Sequence, residues 1–444
     1  MLIFKNTLPS LLMSFQIKES KIFLPKEEVD EETLKQINIM VDEPTTNHAR
    51  FMPDCHKSSG CCVGFTNMIK KGVVPNYVGG DIGCGILSYN SGLKLREKNY
   101  PKIEKIIRDV VPMGENVHKI PIVDESIMDK IYEISNRHLV NLRKLYDDIP
   151  EDFKYDSTYF NNLCNKVKCN KGHILKSLGT LGSGNHYFEI NVDSDNNAYF
   201  TVHSGSRFLG QKVCYYHQDR LKNKTKFNFD LFDKKTKEIK KLVKNKKERK
   251  DAEDTLYKTM QSEVNKDEPY LNEVEMKEYL IDMIFTQNYA SFNRKIMILE
   301  VINCLGHSEM NPFEESILET IHNYIDFNRM ILRKGAISAE ENEVCIISLN
   351  MKDGILICRG KGNEDWNYSS AHGCGRILNR NDTKFLDLKK FKEDMKDVYS
   401  TCISKETLDE SPMAYRDVNL IKKCLDGNVD IIDQLRPIIN VKGI

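Results

Sequence analysis

The chain runs to 444 residues with 65 basic and 65 acidic side chains, so it carries no net charge, and 40% of it is hydrophobic. That is enough apolar material for a sizeable core; zero net charge excludes a protein that grips nucleic acid through a global positive field, but not one with a local basic channel. Thirteen cysteines without regular spacing, in a chain too long to need stapling, exclude a disulfide scaffold and point to a reducing, cytoplasmic setting.

The opening stretch MLIFKNTLPSLLMSF lacks the long apolar region and cleavage pattern of a signal peptide, and Met13 is a second candidate start. No segment approaches the length of a membrane span. Residues 17–41 predict a short strand (KIFL) and then a helix over EEVDEETLKQINIMV. From 51 to 90 the texture turns to glycine and β-branched residues (VGFTNMI, VVPNYVGG, GILSYN), the pattern of strand, turn and strand. Helical periodicity follows at 102–111 and 127–145. HYFEINV and AYFTVHS flank the polar turn DSDNN and predict a hairpin. Between about 221 and 267 the chain becomes Lys/Glu-rich, which reads either as a solvated helical insertion or as a flap that grips RNA. A helix is predicted over 279–305, and strands return over 344–360. Hairpins with segregated helices predict an α+β fold with mixed sheets and peripheral helices.

Glycine-rich blocks carry the chemistry. DIGCG at 81–85 holds Asp81 and Cys84, GSGNHYFE at 182–189 holds His186, and AHGCGR at 371–376 holds His372. HSGSR at 203–207 and IHNY at 321–324 add His203 and His322. Glycines let backbone approach a metal or phosphate closely, and a carboxylate, a thiolate and imidazoles suit a polynuclear site of zinc, manganese or cobalt. The residues alone leave open whether these histidines are ligands or packed side chains in Gly- and Asn-containing turns. The remaining histidines sit in ordinary sequence, apart from His56, which forms a polar pair with Asp54. Cys61 and Cys62 read as core thiols, and Cys164 and Cys169 near His173 are a weak zinc signal. Convergence of ligands from Asp81 to His372 would require a single domain over 1–444, interrupted only by the 221–267 insertion.

The ordered set MPDCH, DIGCG, GTLGSGNHYFE, HSGSR, HN before RKGA, GN-x-x-W-x-x-SSAHGCGR and the terminal KG resembles the RtcB family. The resemblance runs from about residue 51 to the C-terminus and omits mainly the Lys-rich middle. It implies an RtcB-like fold around a dinuclear metal site. It also implies a GTP- and manganese-dependent RNA ligase that joins a 3′-phosphate or 2′,3′-cyclic phosphate end to a 5′-hydroxyl end through a histidine–GMP intermediate. By this resemblance Cys84 bridges two Mn²⁺ ions, Asp81 and His186 complete one, and His203 and His322 complete the other. His372 is the nucleophile, Gly373 and Gly375 leave room for the nucleotide, and Arg376 meets phosphate charge. Asn185 donates to the α-phosphate, Glu189 and Lys442 read the guanine edge, and Tyr187 and Tyr415 flank the base. Asp54 orients the ligands or the incoming hydroxyl.

Against the family's PGSMGT-like loop this chain has SLNMKDG at 348–354, and Cys374 replaces the alanine of HGAGR. Those departures suggest a divergent, bacterial-type paralogue devoted to RNA repair rather than tRNA splicing, with an altered nucleotide loop. Two rival readings follow: a metal-dependent phosphodiesterase opening cyclic phosphate ends without ligation, and a non-enzymatic RNA-end-binding scaffold. An activating protein partner stays open; a membrane partner is not expected.

Overall fold

In the computed structural model the described residues are 13–226, 229–262, 268–313, 317–380 and 382–443. Residues 1–12, and with them most of the stretch that lacks signal-peptide features, lie outside the described residues.

Three sheets form among the described residues. The largest orders Val344–Ser348, Ile355–Gly360, Val429–Lys442, Tyr187–Val192, Ala198–Ser204, Gly85–Leu93 and Ile317–Ile321, each antiparallel to its neighbour. A second runs Phe15–Ile17, Ser20–Ile22, Arg50–His56, Val63–Met68, Ile331–Lys334 and Asn323–Asp326, and its pairing of Ser20–Ile22 with Arg50–His56 is parallel. Ala336–Ser338 and Ser369–Ala371 form a two-stranded ribbon. With helices outside the sheets, the fold is α+β; among the described residues only the second sheet is mixed, the largest being wholly antiparallel.

The helix Glu273–Cys304 packs across strands Ala198–Ser204 and Gly85–Leu93. Met297, Ile298, Val301 and Ile302 meet Leu87, Phe200 and Val202 in a fully enclosed cluster, each such side chain contributing roughly 1.5–3 kcal/mol by leaving water. This helix starts six residues before the predicted 279, because Asn272 and Glu275 close a capping box. Asp30 caps Glu31–Val41 by accepting from the Thr33 amide, so the helix expected from 27 begins only there. VVPNYVGG supplies the expected turn as a single turn of helix, Pro75–Val78, which Pro75 opens because it lacks the N–H a ladder needs.

The predicted boundary at 221 falls inside the helix Arg207–Thr225. Two further helices, Phe229–Leu242 and Lys246–Ser262, make up the Lys-rich insertion, whose last residues, 263–267, lie outside the described ones. Among the described residues no helix is long and apolar enough to cross a membrane, and the thirteen cysteines are free thiols.

Candidate active site

Strand register brings the predicted donors to one end of the large sheet. Gly85, next to Cys84, is paired with both Ser204 and Ile321, while Tyr187 faces His203 across the hairpin. Cys84, His186, His203 and His322 therefore emerge at one level. His203 lies inside the strand Ala198–Ser204, not in a turn as its Gly-rich neighbours suggest. The His322 amide donates to the Cys84 carbonyl at 2.9 Å, and Gly83 N–H to the Asn323 carbonyl at 2.9 Å. Gly83 has φ +71°, and a Cβ there would stand 2.8 Å from Gln287 Cα in the long helix, so only glycine fits the turn between Asp81 and Cys84.

That helix laces the ligand-bearing segments together. Arg294, fully buried, donates to the Gly83 carbonyl at 2.9 Å and the Ser204 carbonyl at 2.6 Å, and pairs with Glu319 at 2.8 Å. Asn293 Oδ1 accepts from the Gly179 and Thr180 amides, and its Nδ2 donates to the Thr180 and Gly205 carbonyls. One helical turn thus fixes the loops carrying Asp81 and Cys84, His186, and His203.

Cys84 Sγ lies 3.4 Å from His186 Nε2 and 3.3 Å from His203 Nε2. His203 Nε2 is 3.3 Å from His322 Nε2, and His186 Nε2 is 3.0 Å from Asp81 Oδ2. Cys84, His186 and His203 place one donor atom each within 4.8 Å of one another, a set that fits a transition-metal ion. Backbone carbonyls orient two of the rings, Leu181 O at 2.9 Å from His186 Nδ1 and Asn185 O at 3.2 Å from His203 Nδ1. Burial pushes the His203 and His322 imidazoles well below their ordinary range, with neighbouring histidines adding to the effect. Burial and then the Asp81 charge push the Cys84 thiol well up. Burial also opposes ionisation of Asp81, yet His186 and the Cys84 hydrogen bond outweigh it and hold the carboxyl low. Metal binding at such a site displaces the thiol proton.

His372 stands beside this cluster, its ring centroid 4.7 Å from that of His322. Asp54 lies beneath it, fully buried: Oδ2 accepts from the His372 and Gly373 amides at 3.0 Å each and is 2.6 Å from His372 Nδ1. Asp54 thus contacts His372, because the strand Arg50–His56 runs under the AHGCGR segment. Its pairing with His56 is through backbone only, with His56 Nδ1 at 2.9 Å from the Asp54 carbonyl. A Cβ on Gly375 (φ +71°) would meet the Asp54 carbonyl at 2.3 Å, and one on Gly373 the Ser348 carbonyl at 2.6 Å. These two glycines thus allow close approach of protein backbone, and both also line the cavity over His372.

A cavity of about 670 Å³ opens over His372 and the cluster, lined also by Asn185, Tyr187, Glu189, Tyr415 and Lys442. Glu189 accepts from Asn191 and Asn440 at 2.6 Å each. Burial pushes its carboxyl up to about 7, against those hydrogen bonds and the Lys442 charge. Lys442 Nζ sits 3.1 Å from Glu410 and 5.6 Å from the Tyr187 ring centre. Tyr187 donates to or accepts from Ser348 Oγ at 2.7 Å.

Glu410 is the residue that sequence reasoning missed. Its carboxylate takes Lys442 at 3.1 Å, Arg380 at 3.0 Å, Arg376 at 3.3 Å and the Tyr415 hydroxyl at 2.7 Å. Burial resists its ionisation, but Lys442, Arg380 and Arg376 hold it down to about 2. Lys334 and Arg207, which the RKGA and HSGSR motifs carry without an assigned role, line the neighbouring cavity. Cys61 and Cys62 are core thiols as read. Among the described residues His173 joins no cluster with Cys164 and Cys169; its ring packs edge-on to Phe208 at 5.3 Å.

The family model described as tRNA-splicing ligase RtcB matches residues 36–443. The RNA-splicing ligase RtcB of Escherichia coli strain K12 is 26% identical over 414 residues, covering 89% of this chain and 90% of the relative. RNA-splicing ligase RtcB2 from E. coli strain ATCC 25922 is 21% identical over 438 residues, covering 92% of each. The tRNA-splicing ligase RtcB of Methanococcus maripaludis is 25% identical over 484 residues, covering 94% of this chain and 92% of the relative.

Proposed function

The chain belongs to the RtcB family, and from that premise we propose that it is a cytoplasmic RNA ligase using GTP and two Mn²⁺ ions. It joins RNA 3′-phosphate or 2′,3′-cyclic phosphate ends to 5′-hydroxyl ends, in RNA repair or tRNA splicing. Relatives named as RNA-splicing and tRNA-splicing ligases along nine-tenths of the chain support the reaction class. The observation that carries the reading is the meeting of Asp81, Cys84, His203, His322 and His372 in one cavity with Glu189 and Lys442.

Asp54 Oδ2 lies 2.6 Å from Nδ1 of His372, so Nε2 is the nitrogen that would attack the α-phosphorus of GTP. The N–P bond forms as pyrophosphate departs, and Asp54 stabilises the charge that develops on the ring. Water first opens a 2′,3′-cyclic end to the 3′-phosphate; GMP then passes from His372 to an oxygen of that phosphate, and the 5′-hydroxyl, losing its proton, attacks the phosphorus and expels GMP. Asn185 and Arg376 serve the phosphates; Glu189 accepts from guanine N1–H and the exocyclic amine, Lys442 donates to O6, and Tyr187 and Tyr415 hold the base. Asp81, Cys84 and His186 would hold one ion and Cys84, His203 and His322 the other. Bound there, manganese supplies charge neutralisation at the reacting phosphates.

The decisive experiment is GMP transfer from α-labelled GTP with Mn²⁺. Wild type retains acid-labile label; His372→Ala and Cys84→Ala both lose it, by at least about a thousandfold if several kcal/mol of stabilisation vanish. His372→Ala still binds Mn²⁺ and Cys84→Ala does not. The altered 348–354 loop favours one rival, in which apolar Leu349 and Met351 line the cavity and nucleotide use is lost. Cyclic-phosphate hydrolysis without GTP, undiminished in His372→Ala, would replace the ligase with that phosphodiesterase.

A further inference from the structure

A second cavity, of about 920 Å³, adjoins the first across Asp81, Asn185 and Lys334. It follows the helix Arg207–Thr225, which lines it with Arg207, Gln211, Tyr215, Gln218 and Lys222. Fifteen residues of helix separate Arg207 from Lys222, about 22 Å at 1.5 Å per residue. The cavity is therefore a groove leading from the metal-ligand cluster to the place where the Lys-rich hairpin begins.

That hairpin is where the neutral chain concentrates its positive charge. Residues 222–250 contain thirteen Lys or Arg against four Asp or Glu, and the hairpin itself, 229–262, eleven against seven. In the helix Phe229–Leu242, Lys234, Lys237 and Lys241 recur at i, i+3 and i+7 and are exposed on one face, which Asp230 and Glu238 share one turn either side of Lys234. The other face carries Phe232, whose ring meets Tyr257 of Lys246–Ser262 at 5.8 Å, and the buried Thr236. Packing thus turns the lysine face away from Lys246–Ser262. Among the described residues, the basic side chains of 234–250 have one carboxylate within 4.0 Å, Glu253 beside Lys240. Lys237 and Lys241 are like charges four apart, a spacing that costs a few tenths of a kcal/mol in an isolated helix.

We propose that the groove and the hairpin's lysine stripe form one binding surface for the RNA strand whose end enters the metal centre, gripping its phosphates without reading its sequence. The inference rests on the ligase reading. RNA fits where other partners do not, because the groove leads directly to the proposed phosphate chemistry and a strand of regular negative charge matches a regular stripe of lysines.

The test compares wild type with a Lys234→Gln/Lys237→Gln/Lys241→Gln variant and its Lys→Arg counterpart. Each is titrated with a fluorescent single-stranded RNA ending in a 3′-phosphate and long enough to cover groove and hairpin. The Gln variant should bind at least about tenfold more weakly at low salt. The slope of log affinity against log salt should shrink by about 2, near 0.7 for each phosphate that a lysine no longer neutralises on a single strand. The Arg variant should match wild type, and an RNA too short to leave the groove should bind all three alike. Unchanged affinity and slope in the Gln variant overturn the inference and assign the stripe to another partner, such as an acidic protein. GMP labelling of His372 is read in parallel. Its absence from wild type would defeat the ligase reading, while the salt slopes would still decide whether this surface holds RNA.

Discussion

At the metal-ligand end of the central cavity, donors leave adjacent strands of one sheet at one level, and a single helical turn, Asn293 and Arg294, ties their loops together. At the nucleotide end, the side chains come from distant segments and are held by charge: Glu410 gathers Lys442, Arg380 and Arg376 around one carboxylate. The first arrangement fixes atoms through backbone register and tolerates no change of residue type. The second fixes them through ion pairs, so neighbouring residues such as 349–353 can change while the anchoring group stays. That contrast fits a chain whose proposed metal ligands match the family's motifs while its nucleotide loop does not. It also predicts different failures at the two ends.

The largest effect is expected at the junction with the nucleophile. Asp54→Asn keeps an acceptor for the His372 and Gly373 amides but loses the carboxylate beside Nδ1. Guanylylation should slow on the order of a thousandfold, as for other imidazoles deprived of an orienting carboxylate. Mn²⁺ affinity should stay within a few-fold of wild type. Loss of Mn²⁺ comparable to that of Cys84→Ala would mean that Asp54 acts on the metal ligands after all.

At the other end the expected failure is one of stability. Glu410 is nearly enclosed, and its carboxyl is held at about 2 by Lys442, Arg380 and Arg376 against the burial penalty. Because the folded value lies below the unfolded one, this stabilisation is present in full above about pH 4.5 and is lost as pH falls towards 2. Glu410→Gln should cost about 3 kcal/mol in urea unfolding at pH 7, and the gap should narrow below pH 4.5. A constant gap across that range would leave packing, not charge, as the cause. Mn²⁺ binding should be unaffected, which separates the two ends.

Much of the metal-ligand end is legible in one dimension, since Asp81, Cys84, His186 and His372 sit in short glycine-rich blocks whose composition announces close backbone approach. His203 is legible as a residue but not as a strand position, because the glycine and serines after it mimic a turn while register with Gly85–Leu93 extends the strand. Arg294 and Asn293 are invisible for a different reason: within a long apolar helix they have the look of surface positions, and only packing shows them fully buried. Glu410 has no local signal at all. Its partners stand 30, 32 and 34 residues away in the chain, so no periodicity records them. Strand and helix texture was readable at 187–204, 279–305 and 344–360, but neither the strand Val429–Lys442 nor the helix Arg207–Thr225 was expected.

The smallest effect, and the sharpest discrimination between the two ends, lies in pH. Burial holds the Glu189 carboxyl up at about 7, opposed by Asn191, Asn440 and Lys442. Its folded value exceeds its unfolded one, so ionising it costs stability as pH rises between about 4.5 and 7. Its proposed role needs the ionised form, which accepts from guanine. Guanylylation at subsaturating GTP should therefore fall as pH drops below about 7, by at most tenfold per pH unit. Glu189→Gln should lower the rate at pH 8 and flatten this limb. Burial sets the metal-end imidazoles His203 and His322 well below their ordinary range, so their protonation, and with it loss of Mn²⁺, belongs to a separate limb at lower pH. If the limb near 7 persists in Glu189→Gln and moves with Mn²⁺ concentration, it belongs to the metal end, and the nucleotide end does not set the pH response.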